Sequence, residues 1–142
     1  MNYYEIIKLI ERICYKHPFV KSFFIDKYSL VGKEDNIEYG VISLLPQTHN
    51  IGEHTNEYNF KMIYADRLVD DNDLQLQSIA IDTLVEICNG IKMVSDLDLD
   101  IDFNIDVFSH QFADECSGAI ITFKLTTRSK LGSCEWLEDC NE

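Results

Sequence analysis

The sequence predicts an α+β fold: a single, mostly antiparallel sheet with two helices on one face, in the order α-β-β-β-α-β-β. Two segments repeat apolar residues at helical spacing, and five others alternate with period two or form apolar runs between turn residues. A sheet covered by both helices would bury every one of these stripes. The chain has 142 residues and is 46% hydrophobic. That suits one domain, 1–142, with a core of its own.

Residues 2–16 read as an amphipathic helix. Tyr3, Ile6, Ile7, Ile10, Ile13 and Cys14 form its apolar stripe. Asn2 can cap its start, and His17-Pro18 ends it, because a residue before proline is pushed out of the helical region. The aromatic and β-branched run "FVKSFFIDKYSLVG" (19–32) predicts a strand, closed by the turn "GKEDN". "IEYGVISLLPQ" (37–47) is apolar on both faces and predicts a central strand that Pro46 terminates. "THNIGEHTNE" reads as a loop or a hairpin end. In "EYNFKMIYA", Tyr58, Phe60, Met62 and Tyr64 share one face of a third strand.

Residues 73–94 predict the longer helix, with Leu76, Ala80, Thr83, Leu84, Ile87, Cys88 and Ile91 on its buried side. "LDLDIDFNIDVF" then alternates strictly. Leu97, Leu99, Ile101, Phe103, Ile105 and Val107 take one side; Asp98, Asp100, Asp102, Asn104 and Asp106 take the other. This predicts a half-buried strand with an acidic outer face, paired antiparallel with "AIITFKLTTRS" across the loop "SHQFADECSG". The end, "CEWLEDCNE" within 132–142, is expected to be an acidic, mobile tail, with Trp136 a candidate to dock it.

The chain carries 25 acidic and 12 basic residues, a net charge of −13. That argues against gripping nucleic acid phosphates and against docking on an anionic membrane. No apolar run reaches the roughly 18 residues of a span, so no membrane association is expected. The start "MNYYEIIKLIERI" is charged throughout and does not read as a signal peptide. Five cysteines at scattered spacing predict reduced thiols, with Cys14 and Cys88 as small core hydrophobes.

The D-x-D-x-D ladder lacks the glycine and the distal glutamate of a calcium loop, and its intervening residues want burial. It therefore reads as the outer face of a strand, its repulsion offset by Lys61 or Lys124. His17, His49, His54 and His110 show no zinc spacing. A nucleophile pair of Cys116 with His110 has no motif behind it. There is no phosphate-binding loop. No metal, no cofactor and no catalytic residue is expected. In "YADRLVDDND", Asp70, Asp71 or Asn72 can cap the helix starting near Asp73. Asp66 and Arg67 are left over, and could pair with each other, the sheet edge or a partner.

The strand ending "YNFKMIYADRLVDD" runs straight into the helix "NDLQLQSIAIDTLVEI". Around it stand "KHPFVKSFF", "VISLLPQ" and the late loop and strand "HQFADECSGAIITFKL". In this order, over roughly residues 3–136, the segments resemble the head-to-tail connector proteins of tailed phages. These are neck-ring, tail-terminator-like proteins, in particular those of crAss-like phages and other phages of Bacteroides. Where that family pattern carries an aromatic residue after the glycine, Ala119 stands here.

The resemblance implies a non-enzymatic virion protein with a tail-terminator-like fold, made in the host cytoplasm and built into the neck. It implies homo-oligomeric rings, twelve-fold or alternatively six-fold, that contact the portal or other neck and tail rings. Genomic DNA would pass through during packaging and ejection without specific binding. Asp66, Arg67 and Arg128 are the candidate subunit-interface residues, with loops 47–57 and 109–118 and the turn 65–72 as each subunit's reach. Asp98, Asp100, Asp102 and Asp106 are the candidate acidic surface, repelling DNA in a lumen. Two alternatives follow from the charge: an acidic DNA mimic that inhibits a nuclease or restriction system, and a metal-dependent enzyme built on the aspartates.

Overall fold

The chain opens with helix α1, Tyr3–Lys16. Asn2 and Glu5 close a reciprocal capping box at its start, each side chain accepting from the other's backbone N–H. His17 ends it in extended backbone, as its proline neighbour requires. The computed structural model describes residues 2–25, 38–69, 72–94, 98–101, 105–111 and 115–128. The expected turn at 32–36, the expected caps Asp70 and Asp71, the acid Asp102, Cys134, Cys140 and the tail 132–142 fall outside these residues.

After α1 come β1 (Ser22–Phe24), β2 (Val41–Pro46), β3 (Asn50–Ile51) and β4 (Thr55–Arg67). Then follow α2 (Asp73–Val94), β5 (Asp98–Ile101), β6 (Asp106–Gln111) and β7 (Cys116–Arg128). The fold is α+β, with two helices and a mostly antiparallel sheet of seven strands among the described residues. Strands run in the order β1-β2-β4-β7-β5, with β3 added on β4 and β6 on β7. Only β1 lies parallel to its neighbour.

Both helices lie on one face. Ile6, Ile10 and Cys14 of α1 and Ala80, Leu84, Ile87 and Ile91 of α2 share one buried cluster with Ile42, Leu44, Phe60, Met62, Tyr64, Ile121, Phe123 and Leu125. The strand residues all come from alternate positions, so one sheet face is the floor of this core. The helices run antiparallel, since His17 meets Glu86 while Ile13 meets Gly90. A Cβ at Gly90 would stand 3.1 Å from Ile13 Cγ2, so the missing side chain lets the helices close on each other.

Seven strands replace the five expected, for two reasons. The expected loop 47–57 contains β3, a two-residue strand that turns back onto β4 through Asn50–Glu57 and Ile51–Asn56. The expected single strand 97–107 is two. Ile101 stands opposite Phe123, and Asp106 stands opposite Ile120. From Ile101 to Asp106 is five positions, while from Phe123 back to Ile120 is three. The difference is even, so β5 and β6 keep the same assignment of odd and even positions to the two sheet faces. The expected first strand, 19–32, is strand only over Ser22–Phe24 among the described residues.

Candidate interaction surface

The sheet face away from the helices carries no helix among the described residues. Its composition follows from the register. One row across it runs Val41, Ala65, Gly118, Phe108; the next runs Ser43, Ile63, Ile120, Asp106. Further along, Leu45, Lys61 and Thr122 stand in line, then Asn59, Lys124 and Asp100, then Glu57, Thr126 and Asp98. The face therefore grades from apolar at the β4 C-terminal end to charged at the other.

At the apolar end, Val41, Ile63, Ala65 and Cys116 are buried as a second small core. Phe24, Tyr39, Leu45, Phe108 and Ile120 pack over it and are themselves half-buried. Gly118 sits beneath Phe108, whose ring would be 3.1 Å from a Cβ there. Aromatic side chains cover glycine in this way when the facing residue leaves a gap in the sheet.

Asp66 and Arg67 end β4 at this apolar end. Being neighbours on a strand, they point to opposite faces. Asp66 is level with Ser117 on the helix side, and Arg67 is level with Cys116 on the open side. The Asp66 carboxylate accepts the Arg67 backbone N–H at 2.8 Å. It also acts on Tyr64, whose phenol is pushed up by burial, with the Asp66 charge and a hydrogen bond to Asp66 adding to the shift. The Arg67 guanidinium lies over the Tyr39 ring, 5.4 Å from its centre. No signal in the sequence pointed to Tyr39, which is 28 positions away.

Arg128 is exposed at the far end of the same ladder, opposite Thr55. Twelve residue steps separate that pair from Arg67–Cys116, about 40 Å at a strand's rise. The fold therefore brings Asp66 and Arg67 to one corner and does not bring Arg128 to them.

The corner is fastened to β6. Asn72 stands at the N-cap position of α2, its carbonyl accepting the Leu76 N–H at 2.9 Å, while its side chain turns back to accept the Val69 N–H at 2.9 Å. Asp73 accepts from the Ser109 hydroxyl at 2.5 Å. The Phe108 carbonyl takes bonds from Gln77 at 3.2 Å and from the Ser117 hydroxyl at 2.9 Å. These contacts hold α2 against the bulge where β6 slips between Phe108 and Gln111.

Asp98 and Asp106 are exposed along the β5–β6 edge. Lys124, in register with Asp100, makes an ion pair with Glu57 at 3.5 Å. Among the described residues no three His, Cys, Asp or Glu side chains converge to hold a metal. His49 is taken up by packing: Tyr3, Tyr58 and Phe60 surround its ring, and its Nδ1 accepts the Asn59 N–H at 3.2 Å. His17 Nδ1 accepts the Phe19 N–H, which leaves Nε2–H to donate to Glu86 at 2.5 Å. No helix among the described residues is long and apolar enough to cross a membrane. No protein-family model matches the sequence, and no curated protein does.

Proposed function

We propose that this chain is a structural subunit of a tailed-phage neck, with a tail-terminator-like fold, assembling into a ring between portal and tail through which DNA passes. The observation that carries the reading is the β4–corner–α2 unit. The segments at the centre of the connector resemblance, 58–87, fall on a 13-residue strand, β4, and on the 22-residue helix α2 that lies over the sheet. Support also comes from the two ends of the sheet. A ring needs two unlike surfaces on each subunit that meet heterologously. The β1 edge carries the exposed apolar side chains Phe19 and Ile25, while the β5–β6 edge carries Asp98 and Asp106.

On this reading Arg67, with Tyr39, belongs to one joint and Arg128 to another, because they stand at opposite ends of the sheet. The acidic β5–β6 edge, rather than the whole open face, is the part suited to a DNA-repelling lumen, since Lys61 and Lys124 lie inward of it. Portal or neighbouring neck and tail rings are the partners, with twelve-fold or six-fold closure.

Light scattering with negative-stain imaging tests the proposal. Closed rings in solution, or stoichiometric recovery from virions at the neck, are the expected result. A stable monomer at all concentrations that blocks a nuclease would replace this reading with that of an acidic DNA mimic.

A further inference from the structure

Between the C-terminal halves of α1 and α2 lies a groove of about 390 Å3, lined by Leu9, Arg12, Ile13, Lys16, Gly90 and Val94. Its floor is apolar and part of it is open, with Val94 64% exposed and the adjoining Met93 77% exposed. Arg12 and Lys16 stand exposed at its side. Neither has an acidic partner among the described residues, whereas Lys8, one turn earlier, pairs with Glu11 at 3.7 Å. In a chain of net charge −13, an apolar slot flanked by two such cations calls for an occupant that is apolar in its middle and acidic at its sides.

The chain contains one segment of that composition near the right place. Residues 134–142, "CEWLEDCNE", set Trp136 and Leu137 among Glu135, Glu138, Asp139 and Glu142, with no base. The chain leaves β7 at Arg128, two residues past Thr126, which pairs with Asp98. Asp98 in turn follows the end of α2 by only four residues. The last described residue, Arg128, thus lies at the end of the sheet near Val94, which lines the groove. The eight residues from Arg128 to Trp136 can span about 27 Å, enough to cross the end of α2.

We propose that the α1–α2 groove is the docking site of the chain's own C-terminal segment. Trp136 and Leu137 enter the slot over Leu9, Ile13 and Val94, and the carboxylates on either side meet Arg12 and Lys16. Docked in this way, the segment straps the two helices together on the face opposite the open side of the sheet. The assignment is independent of the ring reading.

Trp136 is the only tryptophan in the chain, so its fluorescence reports on this contact alone. In the full-length protein its emission should be blue-shifted relative to the urea-unfolded chain. Its quenching by acrylamide should be several-fold weaker, and both should hold unchanged on dilution. Arg12→Glu with Lys16→Glu should return emission and quenching towards the unfolded values while far-UV circular dichroism stays native. Salt at about 1 M, where the Debye length falls to roughly 3 Å, should act in the same direction. Lys61→Glu, on the opposite face, should change nothing. Should the double reversal fail to fold, Val94→Lys at an exposed position provides the same reading. The proposal is overturned if Trp136 is as quenchable in the native protein as in urea. It is equally overturned if protection survives the reversals, or if it disappears on dilution and so belongs to a second copy.

Discussion

Gly118→Ala is the sharpest test of the central β4–β7 ladder. Gly118 stands opposite Ala65 at the apolar end of the open face. A Cβ there would land on the Tyr64 carbonyl oxygen and 2.9 Å from the carbonyl carbon, with the Phe108 ring at 3.1 Å. The obstacle is backbone of a strand paired on both sides, to β2 and to β7, so it cannot swing aside as a side-chain tip can. Overpacking costs about 1–3 kcal/mol where neighbours give way, and here the upper end applies. A loss of about 3 kcal/mol, at a urea slope of roughly 2 kcal/mol/M, lowers the midpoint by about 1.5 M with the slope unchanged. Gly90→Ala is the matched control. Its new Cβ meets only the end of Ile13, at 3.1 Å, and removing a mid-helix glycine gains about 0.5–1 kcal/mol. It should be neutral to stabilising. A midpoint for Gly118→Ala within error of wild type, or above that of Gly90→Ala, would refute the registered pairing of β4 with β7.

Burial lowers the His49 pKa from its ordinary 6.5. The unfolded chain therefore binds the proton first, and stability is full above pH 6.5 and is lost as pH falls through the folded value. His49→Phe should flatten that part of the stability–pH curve, measured by urea unfolding on either side of pH 6.5. The Cys14 and Cys88 thiols are pushed up to about 12, chiefly by burial. Peptide mapping after treatment with a thiol reagent at neutral pH should find both unmodified until denaturant is added. Lys124→Glu replaces the ion pair with Glu57 by two facing negative charges. It should destabilise by up to about 1 kcal/mol at low salt, with the effect shrinking as salt is raised.

The helices were legible because burial and period coincide in them. All seven residues of the α2 stripe are buried on one side, and the α1 stripe differs mainly in that Leu9 joins it and Tyr3 remains exposed. Strand lengths were less legible. Thr55–Glu57 and Thr126–Arg128 are polar and half-buried or exposed, yet they extend the β4–β7 ladder to thirteen pairs. Backbone pairing continues there without an apolar face to announce it. The break in 98–111 was hidden for the opposite reason. The registers of β5 and β6 on β7 differ by an even number of positions, so both strands keep the faces the alternation assigns and the pattern reads as one strand.

The corner at Asp66–Arg67 shows why adjacent charges in sequence are a poor guide to a joint. On a strand, neighbours face opposite ways, so the two side chains answer to different surroundings. Asp66 looks towards the helices, where its carboxylate holds the Arg67 N–H and bears on Tyr64. Arg67 looks outward over Tyr39. The two substitutions should therefore separate. Asp66→Ala removes a charge-assisted bond and should cost about 1.5–3 kcal/mol of stability. Arg67→Ala removes an exposed cation–π contact and should cost only about 0.5–1 kcal/mol. If the open face meets a neighbouring subunit, Arg67→Ala should instead lower the fraction assembled, read by light scattering, at conditions where the monomer stays folded. Equal losses of stability with unchanged assembly would mean that both residues serve this fold alone. A loss of assembly confined to Asp66→Ala would place the joint on the helix side of the sheet.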